Sequence, residues 1–148
     1  MRAAETPTAI QLLVDRCRAA GLRRTYLLEA VLRALDGAEG PLSINALLAH
    51  PDIQGHCDPA TLYRLLSRLE DKGLARRVGL HERAAHFVLH HPECHHDLLI
   101  CVKCGKVQAL PMECPVEQLE AEVAHRTGFT KLYHELQYYG QCPDCASR

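Results

Sequence analysis

Four of the chain's eight cysteines form two pairs with the spacing of a metal site. Cys101 and Cys104 enclose two residues, and so do Cys142 and Cys145. A tight turn of that length points both thiolates at one ion, and two such turns complete a tetrahedral sulfur site that suits Zn2+. Because four thiolates leave no open coordination position, the pairs predict a structural zinc that ties the last strand to an earlier hairpin.

A second group of metal-binding side chains lies just before the first cysteine pair. Within residues 86–97 the chain carries His86, His90, His91, Cys94, His95, His96 and Asp97. If this segment ends in a strand, His95 and Asp97 share one face while His96 lies on the other, so two sites can be served. A solvated polar loop is the alternative interpretation for any one of these residues.

A third feature is a basic helix predicted over residues 58–72. Asp58 and Pro59 are typical of an N-cap followed by the first helical residue, and leucines recur along one side of the helix. The side chains outside that stripe that can reach phosphates or base edges in a major groove are Thr61, Tyr63, Arg64 and Arg68. A solvated basic face is the alternative interpretation of this helix.

The spacing of apolar residues predicts the elements that hold these groups. Helical spacing predicts helices over 8–20, 25–35, a short stretch after Ser43, and 58–72. Strand-like runs predict hairpins from 74–78 with 85–90 and from 97–102 with 106–110, followed by a helix over 116–126 and a strand over 134–139. The predicted fold class is α+β, with an N-terminal winged helix-turn-helix over 1–84 and a small α/β dimerisation domain over 85–148. The boundary is expected near residues 84–92.

Composition differs between the two predicted domains. Residues 1–84 carry 12 basic and 10 acidic side chains, whereas residues 85–148 carry 5 basic and 8 acidic ones, with seven of the ten histidines and six of the eight cysteines. So many cysteines in a chain without a signal-peptide pattern or an 18-residue apolar run favour metal binding in the cytoplasm. The predictions are therefore a cytoplasmic location and no membrane partner.

The small size of the second domain predicts a homodimer. A helix and a hairpin of about 60 residues bury little apolar surface alone, and domains of that size usually need a metal or a partner. The predicted interface consists of strand residues 98–102 with Val116, Leu119 and Val123. Twofold symmetry of this kind matches a palindromic double-stranded DNA operator.

Three segments together resemble one known family, the ferric uptake regulators. Residues 58–74, DPATLYRLLSRLEDKGL, are similar to its ATVYR recognition-helix signature. Residues 95–107, HHDLLICVKCGKV, resemble its hallmark HHDHLICLDCGKV, and residues 139–145, YGQCPDC, match its closing cysteine pair. The resemblance runs in the right order from about Gly21 to Cys145. It implies a metal-responsive DNA-binding repressor that controls zinc or iron homeostasis and is not an enzyme.

The resemblance also implies three metal sites. The structural zinc falls on the four paired cysteines, and a second, regulatory site for Zn2+, Fe2+ or Mn2+ falls on His95, Asp97, Glu117 and His134. At the family's hinge site this sequence departs from the family pattern, because Val88, Leu98 and Ala109 occupy positions where the family has metal ligands. His96 of the family's hinge site is kept, so a hinge site would have to combine it with other residues, among them His90 and Cys94.

For DNA, the resemblance adds Arg23 and Arg24 as candidates for backbone or minor-groove contacts. The family's basic residue early in the second helix is Leu28 here.

Other functions remain as alternatives. One is a zinc-stapled interaction module that binds no DNA. A zinc deaminase is another, because His91-Pro-Glu93 and the closing cysteine pair echo an H-x-E and P-C-x-x-C signature, although Gln141 stands where that signature needs proline. A thiol oxidoreductase is a third, but no βαβ pattern surrounds either cysteine pair.

Overall fold

The computed structural model describes residues 8–79, 85–91 and 97–148. Contacts within the chain divide it into two compact units, Met1–His90 and His91–Arg148. Each unit combines helices with a three-stranded sheet, which confirms the predicted α+β fold class.

Side-chain caps begin the four helices of the first unit. These helices are α1 (Ala9–Ala19), α2 (Tyr26–Asp36), α3 (Ile44–Leu48) and α4 (Pro59–Asp71). The side chains of Thr8, Thr25, Ser43 and Asp58 each accept a hydrogen bond from the backbone N–H three residues further on. Each cap satisfies a donor that the first turn of a helix leaves open. The predicted helices are confirmed, with α3 ending a few residues earlier than expected.

The sheet of the first unit has the strand order β1-β3-β2 and is antiparallel throughout. Its strands are β1 (Leu42–Ser43), β2 (Ala75–Val78) and β3 (His86–Leu89). The β2–β3 hairpin follows α4, which is the order of a winged helix-turn-helix. Strand β1 was not predicted from the sequence, because two residues become a strand only through their pairing with Phe87 and His86.

The division between the units lies after His90, which is within the expected boundary range of 84–92 and six residues beyond the end of the predicted first domain at residue 84. Strand β3 pairs with β1 and β2 and therefore belongs to the first unit. His90 extends this attachment, since its N–H donates to the Leu74 carbonyl (3.0 Å) and its carbonyl accepts from the Arg16 guanidinium (3.0 Å).

Leucines build the core of the first unit. Leu47, Leu62, Leu66 and Leu69 have no solvent exposure, and Phe87 from the sheet is almost as deeply buried. They join one continuous apolar cluster with side chains from α1 and α2. This cluster fixes which face of α4 points inward.

The second unit is built around a short central strand. Its elements are β4 (Leu98–Cys101), β5 (Val107–Ala109), α5 (Glu117–Thr127), β6 (Gln137–Gly140) and α6 (Pro143–Ala146). Strand β4 lies between β5, to which it is antiparallel, and β6, to which it is parallel. Helix α5 ends at Gly128, whose φ of +74° is a left-handed C-cap that favours glycine.

The last strand begins later than predicted, at Gln137 and not near residue 134. Within the predicted interface strand 98–102, Leu98 and Ile100 are buried inside the unit and Val102 is exposed. Both edges of β4 are paired within the unit, so this strand can meet a partner only through a face, and the predicted interface stays a prediction.

No helix in the described part of the chain combines the length and the apolarity needed to cross a bilayer.

Candidate metal centres and recognition helix

The two cysteine pairs meet in the second unit. Cys101 ends β4, Cys104 lies in the turn that follows, Cys142 precedes α6 and Cys145 lies within it. The four sulfur atoms all lie within 4.8 Å of one another, and Cys104 Sγ is 3.8 Å from Cys142 Sγ. The parallel register of β4 and β6 sets Cys101 opposite Gly140. The second cysteine pair begins two residues after Gly140 and is therefore close to Cys101. This donor set fits tetrahedral zinc.

Hydrogen bonds and burial shift the pKa values of two of the four thiols in opposite directions. The backbone N–H groups of Cys104 and Cys142 donate to Cys101 Sγ and lower the pKa of Cys101 to about 6. Hydrogen bonding to Cys142 and burial raise the pKa of Cys145 to about 12. Four sulfurs this close repel one another when all are charged, so a divalent cation is what permits four thiolates together.

A second cluster in the same unit joins Asp97, Cys114 and His134. Their ligand atoms lie within 4.8 Å of one another, and Cys114 Sγ is 3.0 Å from His134 Nε2. Asp97 is buried just before β4, whereas Cys114 and His134 are half-buried. Burial is the largest cause that raises the pKa of Cys114, and a hydrogen bond to the Asp97 carboxylate raises that pKa further.

This cluster contains two of the four residues predicted for the second site, Asp97 and His134. Glu117 is exposed at the first position of α5 and is not among the clustered ligands of the described residues. Glu120, one turn further on, contacts His134 Nδ1 through its carboxylate. Cys114 was missed, although a cysteine just before a predicted helix was visible in the sequence. The predicted ligand His95 lies outside the described residues.

The predicted hinge site is described only in part. His90 is half-buried at the end of the first unit. Cys94 and His96 fall outside the described residues, so their joint role with His90 stays a prediction.

Helix α4 has the two faces that DNA recognition requires. Leu62, Leu66 and Leu69 are buried. On the other side Tyr63, Arg64 and Arg68 are exposed, whereas the predicted DNA-binding residue Thr61 is half-buried. The N-cap is strong, since Asp58 Oδ1 accepts from the Thr61 N–H at 2.7 Å and this bond holds the pKa of Asp58 below its usual range. The cap fixes where α4 begins and therefore the backbone positions from which Arg64 and Arg68 extend.

The other two predicted DNA-binding residues precede α2. Arg23 and Arg24 are both exposed. Arg24 pairs with Glu29, and this hydrogen bond raises the pKa of Arg24 and lowers that of Glu29. Leu28, at the position where a basic residue was expected, is buried. A DNA contact by Arg24 therefore competes with an existing ion pair.

A winged helix-turn-helix followed by a small unit with a four-cysteine cluster defines a class of metal-dependent DNA-binding regulators. The model of the ferric uptake regulator family matches residues 21–139. The chain therefore belongs to the ferric uptake regulator family.

Individual relatives agree with this assignment. The ferric uptake regulation protein of Legionella pneumophila is 41% identical over 86 residues, which span 58% of this chain and 62% of that protein. The ferric uptake regulation protein of Campylobacter jejuni is 31% identical over 134 residues, 86% of this chain and 82% of that protein. Among solved structures, the ferric uptake regulator of Pseudomonas aeruginosa with manganese gives a TM-score of 0.70 at 28% identity, covering 89% of this chain and 98% of that one.

Proposed function

We propose that the chain is a metal-responsive DNA-binding repressor that controls zinc or iron homeostasis. The observation that carries this proposal is the coexistence of two metal clusters in one unit with an exposed basic helix in the other. A closed four-sulfur site has no open position for a substrate, so zinc there serves the fold and not catalysis. The proposal places the chain in the cytoplasm beside the DNA it binds.

We assign α4 as the helix that enters the major groove. Arg64 and Arg68 can donate to phosphates or guanine edges, and Tyr63 can reach a phosphate. We assign Arg23 to a supporting backbone or minor-groove contact.

We infer that the second unit forms a homodimer through the exposed apolar side chains of α5 and β6, among them the predicted interface residues Leu119 and Val123. Helix α5 buries none of its side chains within the chain, and Leu119 and Val123 are 55% and 41% exposed. Tyr138 and Tyr139 on the edge strand β6 are also exposed. A second copy would cover these apolar side chains and give the twofold symmetry that a palindromic operator requires.

The second cluster is the proposed sensor. Asp97 precedes β4, Cys114 precedes α5 and His134 precedes β6, so one cation there ties three elements together. Metal can change DNA affinity only if it binds the DNA-competent state more tightly than the alternative state. We propose that it favours the dimer whose two winged helices match the operator spacing.

The proposal is tested by operator binding with the sensor site empty or filled. Protein that retains one zinc per chain is titrated with Zn2+, Fe2+ and Mn2+ in turn, while DNA affinity is followed by fluorescence anisotropy. At least one ion should raise the affinity about 5–150-fold, the usual range of allosteric coupling. DNA affinity that no ion changes would overturn the sensing role.

The variant His134→Ala locates the sensor. It should keep the structural zinc, because His134 is not one of the four cysteine ligands, and should lose the metal-stimulated DNA affinity. A matched control is His125→Ala, on the exposed surface of α5. A full metal response in His134→Ala would place sensing at the predicted hinge residues.

A further inference from the structure

The second cluster contains a sulfur atom that the predicted ligand set lacks. Cys114 lies in the segment between β5 and α5, and its thiol faces both the Asp97 carboxylate and His134 Nε2. Tetrahedral zinc, with bonds of about 2.0–2.3 Å, separates its ligand atoms by about 3.5 Å. The observed 3.0 Å between Cys114 Sγ and His134 Nε2 therefore needs only a small widening to admit an ion between them.

Glu120 orients the histidine for this role. Its carboxylate contacts His134 Nδ1, and an N–H at that position donates to the carboxylate. The lone pair then resides on Nε2, the nitrogen that faces Cys114. Metal-binding histidines usually have their second nitrogen held by a carboxylate in this way, which fixes the tautomer and the ring orientation. Glu120 is thus a positioning residue.

Backbone donors also face Cys114 Sγ. The N–H groups of Val116 and Glu117, at the start of α5, donate to this sulfur. A metal-bound cysteine must be deprotonated, and these two N–H groups can keep donating to the sulfur when it binds a cation.

A sulfur ligand changes which metal the site prefers. Carboxylate and imidazole ligands accommodate Fe2+ and Mn2+ as well as Zn2+, whereas thiolate favours softer ions. We propose that Cys114 is a ligand of the second metal together with Asp97 and His134, and that its sulfur makes this site select Zn2+ over Fe2+ and Mn2+. The inference rests on the proposed sensor function and specifies the ion that the sensor binds.

Cobalt reports the sulfur ligand directly. Co2+ is added to protein that retains one zinc per chain, and the thiolate-to-cobalt charge-transfer absorption is recorded while the zinc content is checked. The wild type should develop this absorption with the second metal equivalent. Cys114→Ser should bind Co2+ without this absorption. Its affinity for Zn2+ should fall by roughly 100-fold or more, since the loss of residues outside the coordination sphere already lowers metal affinity by about 10–100-fold.

A matched control is Cys57→Ser, a half-buried cysteine of the first unit that lies outside both clusters. This variant should retain the absorption and the wild-type zinc affinity. Charge-transfer absorption that persists in Cys114→Ser at full zinc content would overturn the proposal, and so would unchanged Zn2+ affinity in that variant.

Two further variants separate selectivity from folding. Cys114→Asp keeps a ligand but replaces sulfur with oxygen, so its preference for Zn2+ over Mn2+ should fall while metal binding persists. Glu120→Gln should keep the charge-transfer absorption but weaken metal affinity by roughly 10–100-fold. An unaltered Zn2+ to Mn2+ preference in Cys114→Asp would contradict the role of sulfur. These readouts do not depend on DNA, so they remain decisive even if metal fails to change operator affinity.

Discussion

The two units of the chain hold their folds by different means. In the first unit, α2, α4 and the sheet enclose a continuous apolar cluster, with several leucines fully buried. In the described part of the second unit the buried apolar side chains are few, and α5 buries none. The first unit therefore draws its stability from apolar burial, whereas we expect the second to depend on metal at its clusters and on the proposed partner.

The largest expected effect on the stability of the second unit is that of losing the structural zinc. Cys101→Ser removes one of four thiolates, and binding energy at a structural zinc site is also folding energy, about 10–16 kcal/mol in zinc-finger peptides. The variant should lose zinc and unfold residues 91–148, while α1–α4 keep their protection from hydrogen exchange. Cys57→Ser is the matched control and should keep its zinc. If α5 kept its native protection from hydrogen exchange in zinc-free Cys101→Ser, the second unit would not depend on zinc for its fold.

The opposite test removes a leucine from the first unit. Leu66→Ala leaves a cavity in the fully buried core and should destabilise that unit by about 2–5 kcal/mol. Zinc content should not change. Leu12→Ala, at a position 53% exposed, removes the same atoms and should cost less than about 0.5 kcal/mol. Equal losses of stability in the two variants, measured by urea unfolding, would contradict the assigned core.

A substitution on the exposed face of α4 should have a smaller effect, and it should change DNA affinity without changing stability. Arg64→Ala should weaken operator binding by roughly 1–3 kcal/mol without lowering the unfolding temperature, because the side chain is exposed. Lys131→Ala removes a positive charge from an exposed position of the other unit, outside α5, and should leave DNA affinity unchanged. Equal affinities for Arg64→Ala and the wild type at physiological salt would mean that α4 does not enter the groove.

The smallest effect concerns the cap of α4. The Thr61 N–H lowers the pKa of Asp58, so this cap contributes stability above the unfolded-state pKa of about 3.9 and loses it as the pH falls through the lower folded-state value. Asp58→Asn keeps a good cap but carries no charge. Near neutral pH the two proteins should protect the Thr61 amide about equally, and only the wild type should lose protection in acid. A parallel acid response in both would exclude the carboxylate as its cause.

Local signals predicted much of this architecture. The caps at Thr25, Ser43 and Asp58 mark helix starts because each capping residue bonds to a backbone donor three residues away. The two cysteines of each pair lie close together because only two residues separate them. These features are encoded within a few residues, whereas the meeting of the two pairs depends on the parallel register of β4 and β6.

The features that were missed depend on distant residues. Strand β1 exists only through β3, and the ligands of the second cluster were decided by how α5 lies against the segment before β6. That packing brings Glu120 to His134 and leaves Glu117 exposed, a choice between two glutamates that helical spacing alone does not make. Cys114 joins Asp97 for the same reason.

The span between the two cysteine pairs has a consequence for the order in which metals bind. Cys114 and His134 both lie in the 37 residues between the two cysteine pairs, and Asp97 lies just before the first pair. When zinc closes this loop, it raises the effective concentration of His134 near Asp97. The conformational entropy lost in bringing these residues together is then lost before the second ion binds. The first zinc thereby preorganises the second site, so the affinity of the sensor for its own metal is set partly by an ion that it does not touch.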